Sequence, residues 1–138
     1  MLAYPLTIVT DSDGSFLVSC ANLPELTSFG ASVTDAIAQG TQALAEALAA
    51  RLDDFSPIPA PSSGVYMAEV DLQMTLKVYL FWSLRDADMT RADLARSLGL
   101  HRPQIDRLFD PNHATRLDQY DAAFRALGRK PVVTLVAA

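Results

Sequence analysis

The chain has 138 residues, 50% of them hydrophobic and 20% charged, which fits one ordinary domain or two small ones and excludes a mainly disordered protein. Cys20 is the only cysteine, which excludes a disulfide framework. The net charge of −5 divides unequally: residues 1–70 hold eight acids and one base, a net of −7, and residues 71–138 hold ten bases and eight acids, a net of +2. Halves of opposite sign point to two modules with different partners. No apolar stretch is long enough and suitably placed to span a bilayer, and Met1-Leu2-Ala3-Tyr4-Pro5 has no basic region ahead of an apolar core. A cytoplasmic location with no membrane partner is expected.

Leu2–Thr10 alternates loosely, carries Ile8 and Val9, and predicts a strand. Asp11-Ser12-Asp13-Gly14 is a turn, and Phe16–Cys20 returns as a second strand, so residues 2–20 read as a hairpin. Asn22–Leu26 breaks the pattern and Gly30 closes a loop. Ser32 stands three residues before Asp35 in a capping-box arrangement. Behind it Val33, Ile37, Leu44, Leu48 and Leu52 share a stripe, so a helix is expected from about Val33 to Asp53, with Gly40 allowing close packing. Pro57, Pro59 and Pro61 exclude helix and predict an extended connector. Val65–Leu72 alternates again as a third strand, completing a ββαβ module over residues 1–72.

From Thr75 the period becomes helical, with Leu76, Tyr79, Leu80 and Leu84 on one face. Thr90 with Asp93 caps a short helix that Gly99 ends, and Pro103 suits the first turn of the next, which holds Ile105 and Leu108. Thr115 and Asp118 repeat the capping pair ahead of Leu117, Tyr120, Phe124 and Leu127, and Gly128 stops that helix. Val132–Val136 is expected as a closing strand of the second domain, residues 73–138. The fold class is therefore α+β.

Thr90–Asp110 has the internal logic of a helix-turn-helix. Ala95 is small where two helices cross, Gly99 permits the turn, Ile105 inserts between the helices, and Leu94, Leu98, Leu100 and Leu108 fill the remaining core positions. Arg102, Gln104, Asp106 and Arg107 are left facing outward, where side chains near a helix N-terminus read base edges in the major groove. Arg91 is placed for a phosphate. The segment resembles the Cro/repressor-type helix-turn-helix family. That resemblance gives Arg91 the phosphate role, sets Arg102, Pro103, Gln104, Asp106 and Arg107 on the base-reading helix, and places His113 and Arg116 where members contact the backbone.

A hairpin, the Leu23-Pro24 loop, Gly30, a capped Ala/Leu-rich helix, the Ile58–Ser62 segment and a strand, followed by Lys77 opening a DNA-binding module, together resemble the HicB antitoxin family across nearly the whole chain. The resemblance implies a partial RNase H-like N-terminal fold without nuclease activity, neutralisation of a HicA toxin (an mRNA endoribonuclease), and repression of the shared operon. The −7 half suits a basic toxin, with contacts expected on the rim formed by Asp11–Phe16 and Leu23–Phe29: Asp11, Asp13, Phe16, Leu23 and Glu25. Double-stranded operator DNA is the second expected partner. A homodimer or larger assembly is the third, because helix-turn-helix units commonly pair across a palindrome.

The main rival is an enzyme. Asp11 and Asp13 are the nearest candidates for a metal-holding carboxylate cluster, but beside Gly14 they read as turn residues. His101 and His113 lack a zinc spacing, and Cys20 reads as a small core residue. No catalytic set, metal site or cofactor is expected. A stand-alone transcriptional repressor whose N-terminal domain senses a small ligand remains the alternative.

Overall fold

The computed structural model describes residues 1–138. Elements follow in the order β1 (Ala3–Thr10), β2 (Phe16–Ser19), β3 (Thr27–Gly30), α1 (Val33–Asp54), β4 (Tyr66–Glu69), α2 (Leu72–Asp86), α3 (Arg91–Leu98), α4 (Arg102–Phe109) and α5 (Leu117–Ala126). The protein is α+β, and the chain forms two compact units, Met1–Thr75 and Leu76–Ala138. The division falls inside α2, whereas a boundary at 72/73 is the sequence expectation.

In the first unit an antiparallel sheet has the order β3-β2-β1-β4. The hairpin turn is built by Asp11 and Gly14: Gly14 N–H donates to Asp11 O at 3.1 Å and Asp11 N–H to Ser15 O at 2.7 Å, with Gly14 at φ 84°. β3 corrects the loop expected between Asn22 and Gly30. It pairs with β2 so that Leu17 faces Phe29 and Ser19 faces Thr27.

Helix α1 starts at the expected Ser32 cap, whose hydroxyl accepts from Asp35 N–H at 3.0 Å. It covers one face of the sheet with Ala36, Gly40, Leu44, Ala47, Leu48 and Leu52. Gly40 allows that contact, since a Cβ there would lie 2.7 Å from Leu6 Cδ1 and 2.8 Å from Val18 Cγ1. The proline segment is extended as expected and is tied down by Tyr4 Oη donating to Pro59 O at 2.6 Å.

The second unit has no sheet. The closing strand expected at Val132–Val136 does not form, and Val132, Val133, Leu135 and Val136 are 81–91% exposed. A strand needs a neighbour to satisfy its backbone groups, and this unit offers only helices. The expected Thr115–Asp118 cap is also replaced. Arg116 is the N-cap residue of α5 without a side-chain bond, and the Thr115 hydroxyl points to Arg107 O instead, at 3.4 Å. Tyr79, Leu100 and Leu117, expected in helix cores, are exposed.

Candidate nucleic-acid interface and partner surface

Two eight-residue helices joined by a tight turn form the candidate nucleic-acid interface. Thr90 opens α3 with a full capping box: its hydroxyl accepts from Asp93 N–H at 3.1 Å, and Asp93 accepts Thr90 N–H at 2.9 Å. That bonding to Thr90 holds the Asp93 carboxyl below the usual carboxylate range. Gly99 ends the helix at φ 65° and sends its N–H towards Ala95 O and Arg96 O, a closure that needs the left-handed region. Leu94, Ala95, Ile105 and Leu108 are buried between the helices. Arg102, Pro103, Gln104 and Arg107 face solvent.

The side chains on this face are not all uncommitted. Gln104 Oε1 accepts His101 N–H at 2.8 Å, so Gln104 caps its own helix. Pro103 sits in the first turn, where no intrahelical bond is lost. Asp106 Oδ1 lies 2.9 Å from Arg102 Nε and 3.3 Å from Arg91 Nη1, bridging the first residues of both helices. The Arg107 side chain makes no ion pair and is exposed. Arg116 pairs with Asp118 at 2.9 Å. His113 is half-buried with Nδ1 3.1 Å from Thr115 Oγ1.

Lys77 is the functional-unit residue that periodicity hides. It is fully buried, and its ammonium donates to Arg107 O at 3.1 Å, Leu108 O at 3.3 Å and Thr115 Oγ1 at 2.9 Å. It also stands 5.5 Å from the Tyr120 ring centroid. A cation therefore closes the C-terminal end of α4, where the orphan carbonyls and the helix dipole favour positive charge. Burial pushes Lys77 down to about 8, against the opposing pull of Asp110.

In the first unit the expected contact residues separate. Asp11 Oδ1 accepts Ser12 N–H at 2.8 Å, and Asp13 Oδ1 accepts Ser15 Oγ at 2.6 Å and Ser15 N–H at 2.9 Å. The bonds from Ser15 hold Asp13 below the usual carboxylate range, as suits a turn-building aspartate. Phe16 is half-buried. Leu23 is fully buried and belongs to the core, which takes it off the expected contact rim, while its neighbours Pro24 and Glu25 are exposed. Glu25 grips Arg51 through two bonds, of 2.6 and 2.9 Å.

The sheet face opposite α1 carries a row that the sequence reading does not assemble. Val9 pairs with Leu17 and Leu17 with Phe29, and these are 52%, 39% and 68% exposed. Thr7, Ser19 and Thr27 form the next row, also exposed. Strand alternation of β3 was the missing signal, since four residues between Leu26 and Ala31 are too few to read as a strand. No group of three or more His, Cys, Asp or Glu side chains is placed to share a metal ion, and no helix is long and apolar enough to cross a membrane.

Comparison with known proteins places these features in context. A family model described as the HicB-like antitoxin of bacterial toxin–antitoxin systems matches residues 3–80. The chain is 32% identical over 138 residues to Antitoxin HicB of Escherichia coli (strain K12), covering 98% of this chain and all of the relative. It is 32% identical over 142 residues to Antitoxin HicB of Pseudomonas fluorescens (strain Pf0-1), covering 100% of this chain and 97% of the relative. Antitoxin HicB 2 of Photorhabdus laumondii is 30% identical over 129 residues, covering 93% and 92% of the two chains.

Proposed function

Because the chain belongs to the HicB family of bacterial antitoxins, we propose that it neutralises a HicA-like endoribonuclease through its first unit and represses its own operon through α3 and α4. Both roles are binding roles in the cytoplasm, without catalysis or cofactor. The observation that carries the DNA half is the α3–α4 pair, with Ala95 and Ile105 buried and Arg102 and Arg107 exposed. Arg102→Ala is expected to weaken operator binding by about 1–3 kcal/mol in a gel-shift titration if Arg102 makes a bidentate base contact. Arg91→Ala is expected to weaken operator and random DNA together. Unchanged operator affinity in both folded variants rejects the assignment. His113 and Arg116 remain candidate backbone contacts, and Pro103, Gln104 and Asp106 line the same face.

For the toxin half, the acidic first unit, net −7 over residues 1–70, favours encounter with a basic partner. The exposed Val9–Leu17–Phe29 row supplies apolar area beside the Asp11–Phe16 turn. Phe29→Asp in the full chain is expected to leave the fold intact and abolish rescue of growth when the neighbouring toxin is expressed. Full rescue moves the contact elsewhere. A homodimer is the assembly we propose, with the exposed Val132–Val136 segment as its apolar contribution. Sedimentation showing a monomer, with and without operator, rejects it.

A further inference from the structure

Helices α3 and α4 end differently. Gly99 closes α3 from the left-handed region. Asp110, which follows α4, stands at φ −79° and ψ 115°, so no such closure forms. The sequence also withholds the usual helical partners of the last carbonyls. Four residues beyond Arg107 is Pro111, which has no N–H to offer. Four beyond Leu108 is Asn112, whose N–H is taken by Asp110 Oδ1 at 2.9 Å. A side chain from another helix fills the gap. The buried ammonium of Lys77, on α2, donates to Arg107 O at 3.1 Å and Leu108 O at 3.3 Å. The Thr115 hydroxyl and Asp110 N–H also reach Arg107 O, at 3.4 and 3.3 Å, so three donors converge on one carbonyl.

That carbonyl belongs to the exposed arginine of α4 that makes no ion pair. Arg107 is thus held by its backbone from inside while its side chain faces solvent. An eight-residue helix has little stability of its own, and its last turn is the part that depends most on outside donors. Burying a charge is costly. An apolar side chain would fill the same space without that cost, so the ammonium serves the carbonyls rather than the packing.

We propose that Lys77 is a positioning residue for base reading: through Arg107 O and Leu108 O it fixes the last turn of α4, and with it the direction in which Arg107 leaves the helix. The proposal rests on the reading of α3 and α4 as a DNA-binding unit. Neither operator nor random DNA disturbs these buried bonds. Only the operator uses the orientation they fix, because a bidentate contact to a base demands a set place and angle, whereas phosphate contacts carry no sequence information. Loosening the turn therefore weakens operator binding and spares random binding. Loss of one buried positive charge weakens both complexes alike and leaves their ratio unchanged.

The groups facing the ammonium are Asp110, the Tyr120 ring at 5.5 Å, and His113, whose Nδ1 lies 3.1 Å from the shared Thr115 Oγ1. Burial outweighs Asp110 and pushes Lys77 down to about 8. A neutral amine has one N–H fewer than the ammonium. Operator preference of the wild type is therefore expected to fall in part between pH 7 and 9, and that of Lys77→Met to stay flat.

The test uses full-length wild type, Lys77→Met, Arg107→Ala and the double variant. Each is titrated by fluorescence anisotropy with two 30-base-pair duplexes, one from immediately upstream of the gene and one of shuffled sequence. Val78→Ala, at a buried position of α2 next to Lys77, is the destabilised control, and urea unfolding shows which variants are folded in the assay. Lys77→Met is expected to weaken upstream binding about three- to tenfold more than shuffled binding, part of the worth of a bidentate base contact. In the Arg107→Ala background the same change is expected to move the ratio by less than about twofold, since the residue it positions is gone. Val78→Ala is expected to keep the wild-type ratio. Hydrogen exchange of residues 107–110 is expected to speed up in Lys77→Met, with residues 91–98 unchanged. An unchanged ratio in Lys77→Met overturns the proposal, as does an equal fall with and without Arg107. A matching fall in Val78→Ala makes the effect one of stability and overturns it too. Should Lys77→Met not fold, the wild-type ratio between pH 7 and 9 decides, and a flat ratio overturns it. Wild type that prefers neither duplex defeats the DNA-binding reading itself and takes the proposal with it.

Discussion

Lys77→Met keeps a side chain of similar length at the end of α4 and removes the ammonium. Arg107 O retains Asp110 N–H at 3.3 Å and the Thr115 hydroxyl at 3.4 Å, so the Leu108 carbonyl bears most of the loss. An orphaned buried acceptor costs about 1–3 kcal/mol. Against this, the variant no longer buries a charge. The Lys77 pKa is pushed from 10.5 down to about 8 by that burial, and at 1.36 kcal/mol per unit the shift corresponds to about 3 kcal/mol. At pH 7 the two effects nearly cancel, and wild type and variant are expected to differ by about 1 kcal/mol or less.

The pH dependence separates the two effects. Between pH 8 and 10.5 the unfolded chain holds the Lys77 proton and the folded chain has released it. Wild-type stability therefore rises with pH relative to the variant, by up to about 3 kcal/mol across that window, and the difference is constant below it. Trp82 lies in the same unit, so its fluorescence during urea unfolding at pH 7, 9 and 10.5 reports the relevant transition. A wild-type advantage that is flat or shrinks with pH would show that the three hydrogen bonds outweigh desolvation, and would refute the reasoning.

Three glycines give further expectations. Gly30→Ala is expected to cost about 3 kcal/mol or more, because its Cβ would lie 2.6 Å from Ala36 Cα and 2.8 Å from Asp35 C, backbone that cannot step aside. Gly40→Ala meets only the side-chain ends of Leu6 and Val18, so about 1–3 kcal/mol of overpacking is offset by about 1 kcal/mol of helix propensity, and a smaller shift in the urea midpoint is expected. Gly99 has open space around it but sits at φ 65°, so Gly99→Ala is expected to cost about 1–2 kcal/mol by calorimetry. Gly99→Asn is expected to cost less.

Elements whose signal lies within a few residues were legible in the sequence. The Ser32 and Thr90 caps, Gly99 and Gly128 all follow from local spacing, and the structure places them as expected. Features that depend on a distant partner were not legible. β3 exists because β2 supplies its neighbour, whereas Val132–Val136 has the stronger strand composition and no neighbour at all. Leu23 looks like any loop leucine until the surrounding core is known. The burial of Lys77 has no local signal, because the carbonyls that hold it lie 30 and 31 residues further along the chain. Thr115 loses its expected capping role to the same cluster.

Helices of eight residues are below the length at which a helix is stable alone, so α3 and α4 depend on their ends. Thr90 and Gly99 close α3, and Gln104 and Lys77 close α4. This division of labour limits which side chains are available for recognition. A glutamine reading adenine uses both its oxygen and its nitrogen, but Gln104 Oε1 already accepts His101 N–H, so reading through Gln104 sacrifices the cap of the helix that presents it. Arg102 must likewise leave Asp106. Arg107 is exposed, one turn further along α4 and without an ion pair, so it can engage a base at no structural cost. In the proposed DNA-binding reading, discrimination therefore rests first on Arg107. Arg107→Ala is expected to reduce operator affinity while leaving stability unchanged, whereas Gln104→Ala is expected to lower the stability of the second unit by about 0.5–2 kcal/mol, the usual cost of a lost cap. Stability lost on Arg107→Ala, or left untouched on Gln104→Ala in the Trp82 urea titration, would reverse that assignment.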